Sequence, residues 1–195
     1  PAGDFSDPAL SPDGRRIALQ RNVSDSRSAD IYLVDLSRGS FTRFTFGQQA
    51  EALPVWSPDG SQIVFASNAA GYLDLFRKAA SGAGDEEGLL STAGHKFPDD
   101  WSPDGRLLIF ETADPETRID LWVLPMSGET KPRPFLRTRF NERHARISPD
   151  GRWVAYSSDE TGRPEIYVQT FPDKGGKWQI SPAGGDQPAW RRDGG

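Results

Sequence analysis

Pro54-Val55-Trp56-Ser57-Pro58-Asp59-Gly60 decides the reading of this chain, because a bulky residue followed by Ser-Pro-Asp-Gly returns along its whole length. Ser11-Pro12-Asp13-Gly14, Ser102-Pro103-Asp104-Gly105 and Ser148-Pro149-Asp150-Gly151 repeat it, so that the motif recurs at intervals of 46, 45 and 46 residues. A degenerate Arg191-Arg192-Asp193-Gly194 follows 43 residues later. Pro presets φ at the second position of a type I turn, Asp suits the third, and Gly takes the left-handed position that joins two antiparallel strands. Each motif is therefore expected to form a hairpin tip. Trp56, Trp101 and Trp190, with Leu10 and Ile147 in equivalent places, lie four residues ahead of the final Gly and are expected to pack between neighbouring sheets.

Working outward from the tips, the following segment alternates at period 2, with Ile17 and Leu19, Ile63 and Phe65, Leu108 and Phe110, and Val154 and Tyr156 at matching offsets. These pairs are expected to form the inward face of a second strand. A third strand opens on an acid and an aliphatic-aromatic pair: Asp30-Ile31-Tyr32, Asp74-Leu75-Phe76, Asp120-Leu121-Trp122 and Glu165-Ile166-Tyr167. Acids that recur in every unit are expected to serve strand or turn hydrogen bonding. A short fourth strand completes the unit. This period and strand count predict an all-β fold, a β-propeller of four-stranded antiparallel blades. Four complete blades are expected over 6–46, 52–92, 97–137 and 143–181, and 187–195 supplies the inner strand of a fifth. The count predicts part of a larger ring, with a self-closed four-bladed ring as the alternative, since closure hides strand edges.

Composition agrees with many tight turns: 20 Gly and 16 Pro fall in short clusters between strands. A net charge of -5 argues against a nucleic-acid partner, which would call for clustered Lys and Arg. No apolar run approaches the roughly 18–20 residues of a bilayer span, so no membrane insertion of this segment is expected. The absence of Cys excludes disulfides and thiolate metal sites but leaves the compartment open.

The blocks 54–60, Asp100-Trp101-Ser102-Pro103-Asp104-Gly105 and Asp120-Leu121-Trp122-Val123 resemble the TolB-like, WD40-like propeller repeats of bacteria. Gly151-Arg152-Trp153-Val154-Ala155-Tyr156-Ser157-Ser158 and Gly176-Lys177-Trp178-Gln179-Ile180-Ser181 are similar to propellers appended to bacterial serine/threonine protein kinases. The resemblance implies a non-enzymatic module for protein-protein interaction or scaffolding, a sensor domain in the kinase case, in a periplasmic or extracytoplasmic setting. A propeller by itself names no partner. One alternative is the substrate-gating propeller of a prolyl-oligopeptidase-like serine peptidase; another is a fragment that self-assembles into a homo-oligomer through open blade edges.

No G-x-S-x-G elbow, G-x-G-x-x-G or Walker phosphate loop occurs, so no enzyme, catalytic residue, cofactor or metal is expected. His95 and His144 enter inner strands without the companions that a zinc or nucleophilic site requires. Binding sites should instead break the repeat. The loop after the third blade does so, with Arg137, Arg139, Arg143 and Arg146 around Phe140 and His144 in an acidic chain. Arg is favoured at interfaces and for acidic groups. This loop is expected to bind an acidic protein segment, with His95, Lys96 and Phe97 extending the patch.

Overall fold

A computed structural model of the chain describes residues 3–22, 28–191 and 193. All sixteen of its regular elements are strands, in four antiparallel four-stranded sheets whose order follows the chain. Blade 1 contains β1 (Asp4–Leu10), β2 (Arg16–Asn22), β3 (Ala29–Asp35) and β4 (Ser40–Arg43). Blade 2 contains β5 (Glu51–Trp56), β6 (Gln62–Ser67), β7 (Asp74–Ala79) and β8 (Glu87–Leu90). Blade 3 contains β9 (Lys96–Trp101), β10 (Leu107–Asp114), β11 (Arg118–Pro125) and β12 (Arg133–Leu136). Blade 4 contains β13 (Glu142–Ile147), β14 (Trp153–Ser158), β15 (Glu165–Thr170) and β16 (Lys177–Gln179). The fold is that of β-propeller blades, and it divides into two compact units, Pro1–Pro98 and Asp99–Gly195.

The tips are built alike. At the second, Ser57 Oγ donates to Asp59 Oδ1 at 2.6 Å, Ser61 N donates to the same oxygen at 3.0 Å, and Gln62 N donates to Ser57 Oγ at 2.9 Å. Gly60 N closes the turn on Ser57 O at 2.9 Å. Asp13, Asp104 and Asp150 accept the same serine bond in their own tips. Gly14, Gly60, Gly105 and Gly151 all have φ between 70° and 74°, the left-handed region the motif requires. The serine and backbone donors hold the carboxyls of Asp59, Asp104 and Asp150 at about 2. A Cβ on Gly60 would meet only Pro12 Cδ, at an ordinary 3.7 Å. Gly60→Ala is thus expected to cost about 1 kcal/mol of backbone strain with no steric clash, read as a lower urea midpoint.

Pairing registers explain which faces are covered. In the first unit Ala18, Ile31 and Phe44 of blade 1 pack with Trp56, Ile63, Phe65 and Ala80 of blade 2. In the second, Ile109, Leu121, Val123 and Phe135 of blade 3 pack with Ala145, Ile147, Val154, Tyr156 and Tyr167 of blade 4. The second strand departs from the single inward face expected of it. In β6 Ile63, Val64, Phe65 and Ala66 are all fully buried, and β10 and β14 are likewise covered on both sides. A sheet packed on both faces hides its odd and even residues together. Blade 1 differs: Leu10, Ile17, Val34 and Phe41 stand opposite one another on the face away from blade 2. Leu10, expected to pack between sheets, is 59% exposed there.

Two further expectations change in detail. Trp56 Nε1 reaches across to Ala9 O of blade 1 at 2.9 Å, as an inter-sheet residue should, but Trp101 Nε1 donates at 3.0 Å to Gly105 O of its own tip. Residues 187–190, expected as a fifth inner strand, pair with no strand among the described residues. They nevertheless repeat the inner-strand design. Gln187 has the positive φ of 54° that Asp7, Leu53 and His144 adopt at the equivalent bulge, and Trp190 Nε1 donates to Arg146 O at 2.8 Å as Trp56 does to Ala9. The tip that would follow includes Arg192 and Gly194, which lie outside the described residues.

Candidate interaction surface

Beyond the fourth strands, the loop from Arg137 to Asn141 carries Arg139 on the surface, its guanidinium 5.1 Å from the Phe140 ring centroid. Thr138 shapes this loop, its hydroxyl donating to Glu142 Oε1 at 2.5 Å and accepting from Phe140 N at 3.1 Å. Arg143 follows on β13, exposed and without an ion pair among the described residues. An exposed guanidinium over a half-buried aromatic ring, with the exposed Arg143 three residues on from Phe140, offers groups that can meet carboxylates and an apolar side chain.

The other expected members divide by what they already hold. Arg137 is tied to Asp114 at 2.9 Å and stands 3.7 Å from Asp120, which leaves it half committed to the blade. Arg146 spends its guanidinium on the carbonyls of Asp99 and Ala145. His144 lies inside β13 at the bulge, with φ 55°, its backbone N on Glu111 at 2.7 Å and Nδ1 2.8 Å from Asp186. His144 and Arg146 thus hold β13 in place, and Arg137 ties the end of β12 to β10 and β11. Around them the carboxyl of Asp99 is pushed well above the usual range by burial and by the neighbouring Glu111, against the pull of Arg146. Burial raises Asp100 as well, although Ile147 N and Trp101 N donate to it.

In the first unit His95 accepts a hydrogen bond from Leu73 N at Nδ1, 3.0 Å away, and stacks against Phe97 at 6.1 Å. Tyr72, which sequence reasoning passed over, meets His95 edge-on at 5.4 Å and is 48% exposed. An exposed aromatic inside a turn of Gly and Leu was the available signal. Lys96 does not belong to this surface. It is 1% exposed, with its ammonium on Asp74 Oδ1 at 2.6 Å and on Thr92 O, so the expected binding residue is a buried structural cation.

The acids that open the third strands do the structural work expected of them. Asp74 receives Lys96 and Ser91 Oγ, Asp30 receives Arg43 at 2.7 Å, Asp120 receives Thr117 Oγ1 at 2.6 Å, and Glu165 receives Arg163 and Gly184 N. Their neighbours on the inner strands were missed. Glu51 and Glu142 lie nine residues ahead of a tip Gly, as Lys96 does, and are buried. Burial drives both carboxyls up to about 7. Their matching place in the repeat was the sequence signal. Among the described residues no group of three or more His, Asp or Glu is placed to hold a metal ion.

Four-stranded blades with Ser-Pro-Asp-Gly tips and an exposed Arg and aromatic loop define a β-propeller module. Residues 2–110 match the model of the TolB beta propeller domain, and the chain belongs to that family. It is 32% identical over 163 residues to the Tol-Pal system protein TolB of Francisella tularensis, covering 82% of this chain and 36% of that protein. It is 22% identical over 209 residues to the uncharacterized peptidase YuxL of Bacillus subtilis, covering 84% of this chain and 32% of the relative. The chain thus spans about a third of the length of these curated relatives. The crystal structure of TolB from Acinetobacter baumannii superposes with a TM-score of 0.82 at 20% identity, over 98% of this chain and 47% of that one.

Proposed function

We propose that this chain is a protein-interaction part of a TolB-type propeller and that it docks an acidic, aromatic-containing protein segment on Arg139, Phe140 and Arg143. The observation that carries the reading is that Arg139 and Arg143, either side of Phe140 in the sequence, are exposed and form no ion pair among the described residues, in a chain where acids outnumber bases, 28 to 23. Surface charges with no internal partner are the ones available for steering and docking. His95, Phe97 and Tyr72 offer a second aromatic patch on the first unit. Attachment to a kinase as its sensor is a narrower form of the same proposal and rests on the stretches 151–158 and 176–181.

Fluorescence anisotropy with a labelled peptide of alternating Glu and Phe tests the docking reading. Binding is expected to weaken with added salt and to fall at least tenfold in Arg139→Glu/Arg143→Glu. Unchanged affinity in that variant would remove the loop from the proposal. The similarity to YuxL supports a second reading, a propeller that accompanies a peptidase domain. In that case the peptide would bind without dependence on Arg139 and Arg143, and its cleavage would require a further domain carrying the nucleophile.

The uncovered apolar faces support self-association as a property of the isolated chain. Leu10 and Phe41 on blade 1, and Trp178 and Ile180 on blade 4, are each between 39% and 59% exposed. Apolar sheet faces of this kind favour contact with another copy.

A further inference from the structure

Two blade seams bury a pair of carboxyls where a third seam buries a carboxyl and an amine. At the first, Ala29 and Ala50 form a parallel bridge, which brings the next residues, Asp30 of β3 and Glu51 of β5, side by side. At the second, β11 and β13 pack together with Asp120 and Glu142 in the same places of the repeat. Both seams share one construction. A threonine hydroxyl, Thr45 or Thr138, bonds the glutamate, and Glu51 Oε2 and Glu142 Oε2 are buried with no partner. Asp120 Oδ1 is also buried and unpartnered. An unpartnered buried carboxylate oxygen is costly, whereas the neutral acid is far less so. At Asp74 the equivalent position is Lys96, whose ammonium supplies the missing positive charge.

We propose that the Asp30–Glu51 and Asp120–Glu142 seams are proton-operated clasps, which hold when the glutamate carries a proton and loosen when it ionises. The charges around each glutamate set this behaviour. Glu51 faces Asp30, Arg43 and Glu86, with Arg43 already committed to Asp30 and Lys78 lying 3.8 Å from Glu86. Glu142 faces Asp120, Asp159 and Lys177, and Tyr156 packs nearby, while Arg137 stands between Asp114 and Asp120. Acids and bases thus face each glutamate together, and burial is the largest influence favouring the protonated form.

The sign follows from linkage. Between about 4.5 and about 7 the folded chain holds protons that the unfolded chain releases, so stability is greatest at the acid end of that window and declines as pH rises through 7. The tip aspartates, held at about 2, do not titrate there. Urea unfolding of the whole chain from pH 5.5 to pH 8 is expected to show the folding equilibrium weakening by about tenfold or more per clasp. Glu51→Gln and Glu142→Gln should each remove one share of that slope, and the double variant both shares, leaving only the part contributed by other raised carboxyls such as Asp99 and Asp100. Should a variant not fold, unfolding of the unaltered chain at pH 6, followed by calorimetry in buffers of different ionisation enthalpy, must show net proton release. A double variant that keeps the full slope of the unaltered chain, or no proton release from the unaltered chain, overturns the clasps.

Discussion

Trp56→Ala is expected to destabilise the chain by roughly 3–5 kcal/mol. Trp56 is 6% exposed and belongs to the core shared by blades 1 and 2. Three contacts vanish with the indole: the packing against Ile63 and Phe65, the hydrogen bond from Nε1 to Ala9 O at 2.9 Å, and the guanidinium of Arg16 stacked 4.8 Å over the ring. Arg16 also donates to Ala80 O at 2.8 Å, so its support of blade 2 loosens as well. Trp56→Phe separates the terms, since it keeps most of the bulk and removes the N–H; about 1 kcal/mol is expected from the bond alone. Equilibrium urea unfolding at pH 7 reads both. A Trp56→Ala midpoint within error of the unaltered chain would mean that the indole does not join the two sheets.

Lys96→Ala is expected to cost about 3–5 kcal/mol by leaving Asp74 charged and buried without its main partner. The pair is 1% and 2% exposed at the side chains, with 2.6 Å between ammonium and carboxylate. Ser91 Oγ, at 2.6 Å from the other oxygen of Asp74, compensates only in part. Replacing both residues, as Lys96→Met with Asp74→Leu, should recover most of the loss, because an apolar pair of similar volume avoids both desolvation penalties. The two single substitutions and the double form a cycle. Additive losses would show that Lys96 and Asp74 act independently and that the ammonium is held by Thr92 O alone.

How far the tips and the surface could be read in advance differs for a physical reason. Ser57, Asp59 and Gly60 make their bonds to one another and to Gln62, all within a few residues, so turn chemistry in the sequence was enough to locate the hairpins. The alternation after each tip likewise specifies a strand whichever partner covers it. Lys96 shows the opposite case. As a residue type it reads as a surface cation, and only its meeting with Asp74, 22 positions earlier, makes it a core residue. Arg146 and Arg139 are equally charged in the sequence, but one is spent on carbonyls of β9 and β13 while the other stays exposed beside Phe140.

What the residue order determines by itself is therefore the hairpin tips, the four-strand repeat and the propeller class, because turn geometry and period-2 alternation act over short stretches of chain. The coverage of both faces of β6, β10 and β14, the exposure of Leu10, the left-handed bulge at His144 and the carboxyl pairs behind Glu51 and Glu142 were decided only by the tertiary structure. Each depends on which side chain from a neighbouring strand or sheet comes to lie against the residue, and burial and charge are properties of that meeting.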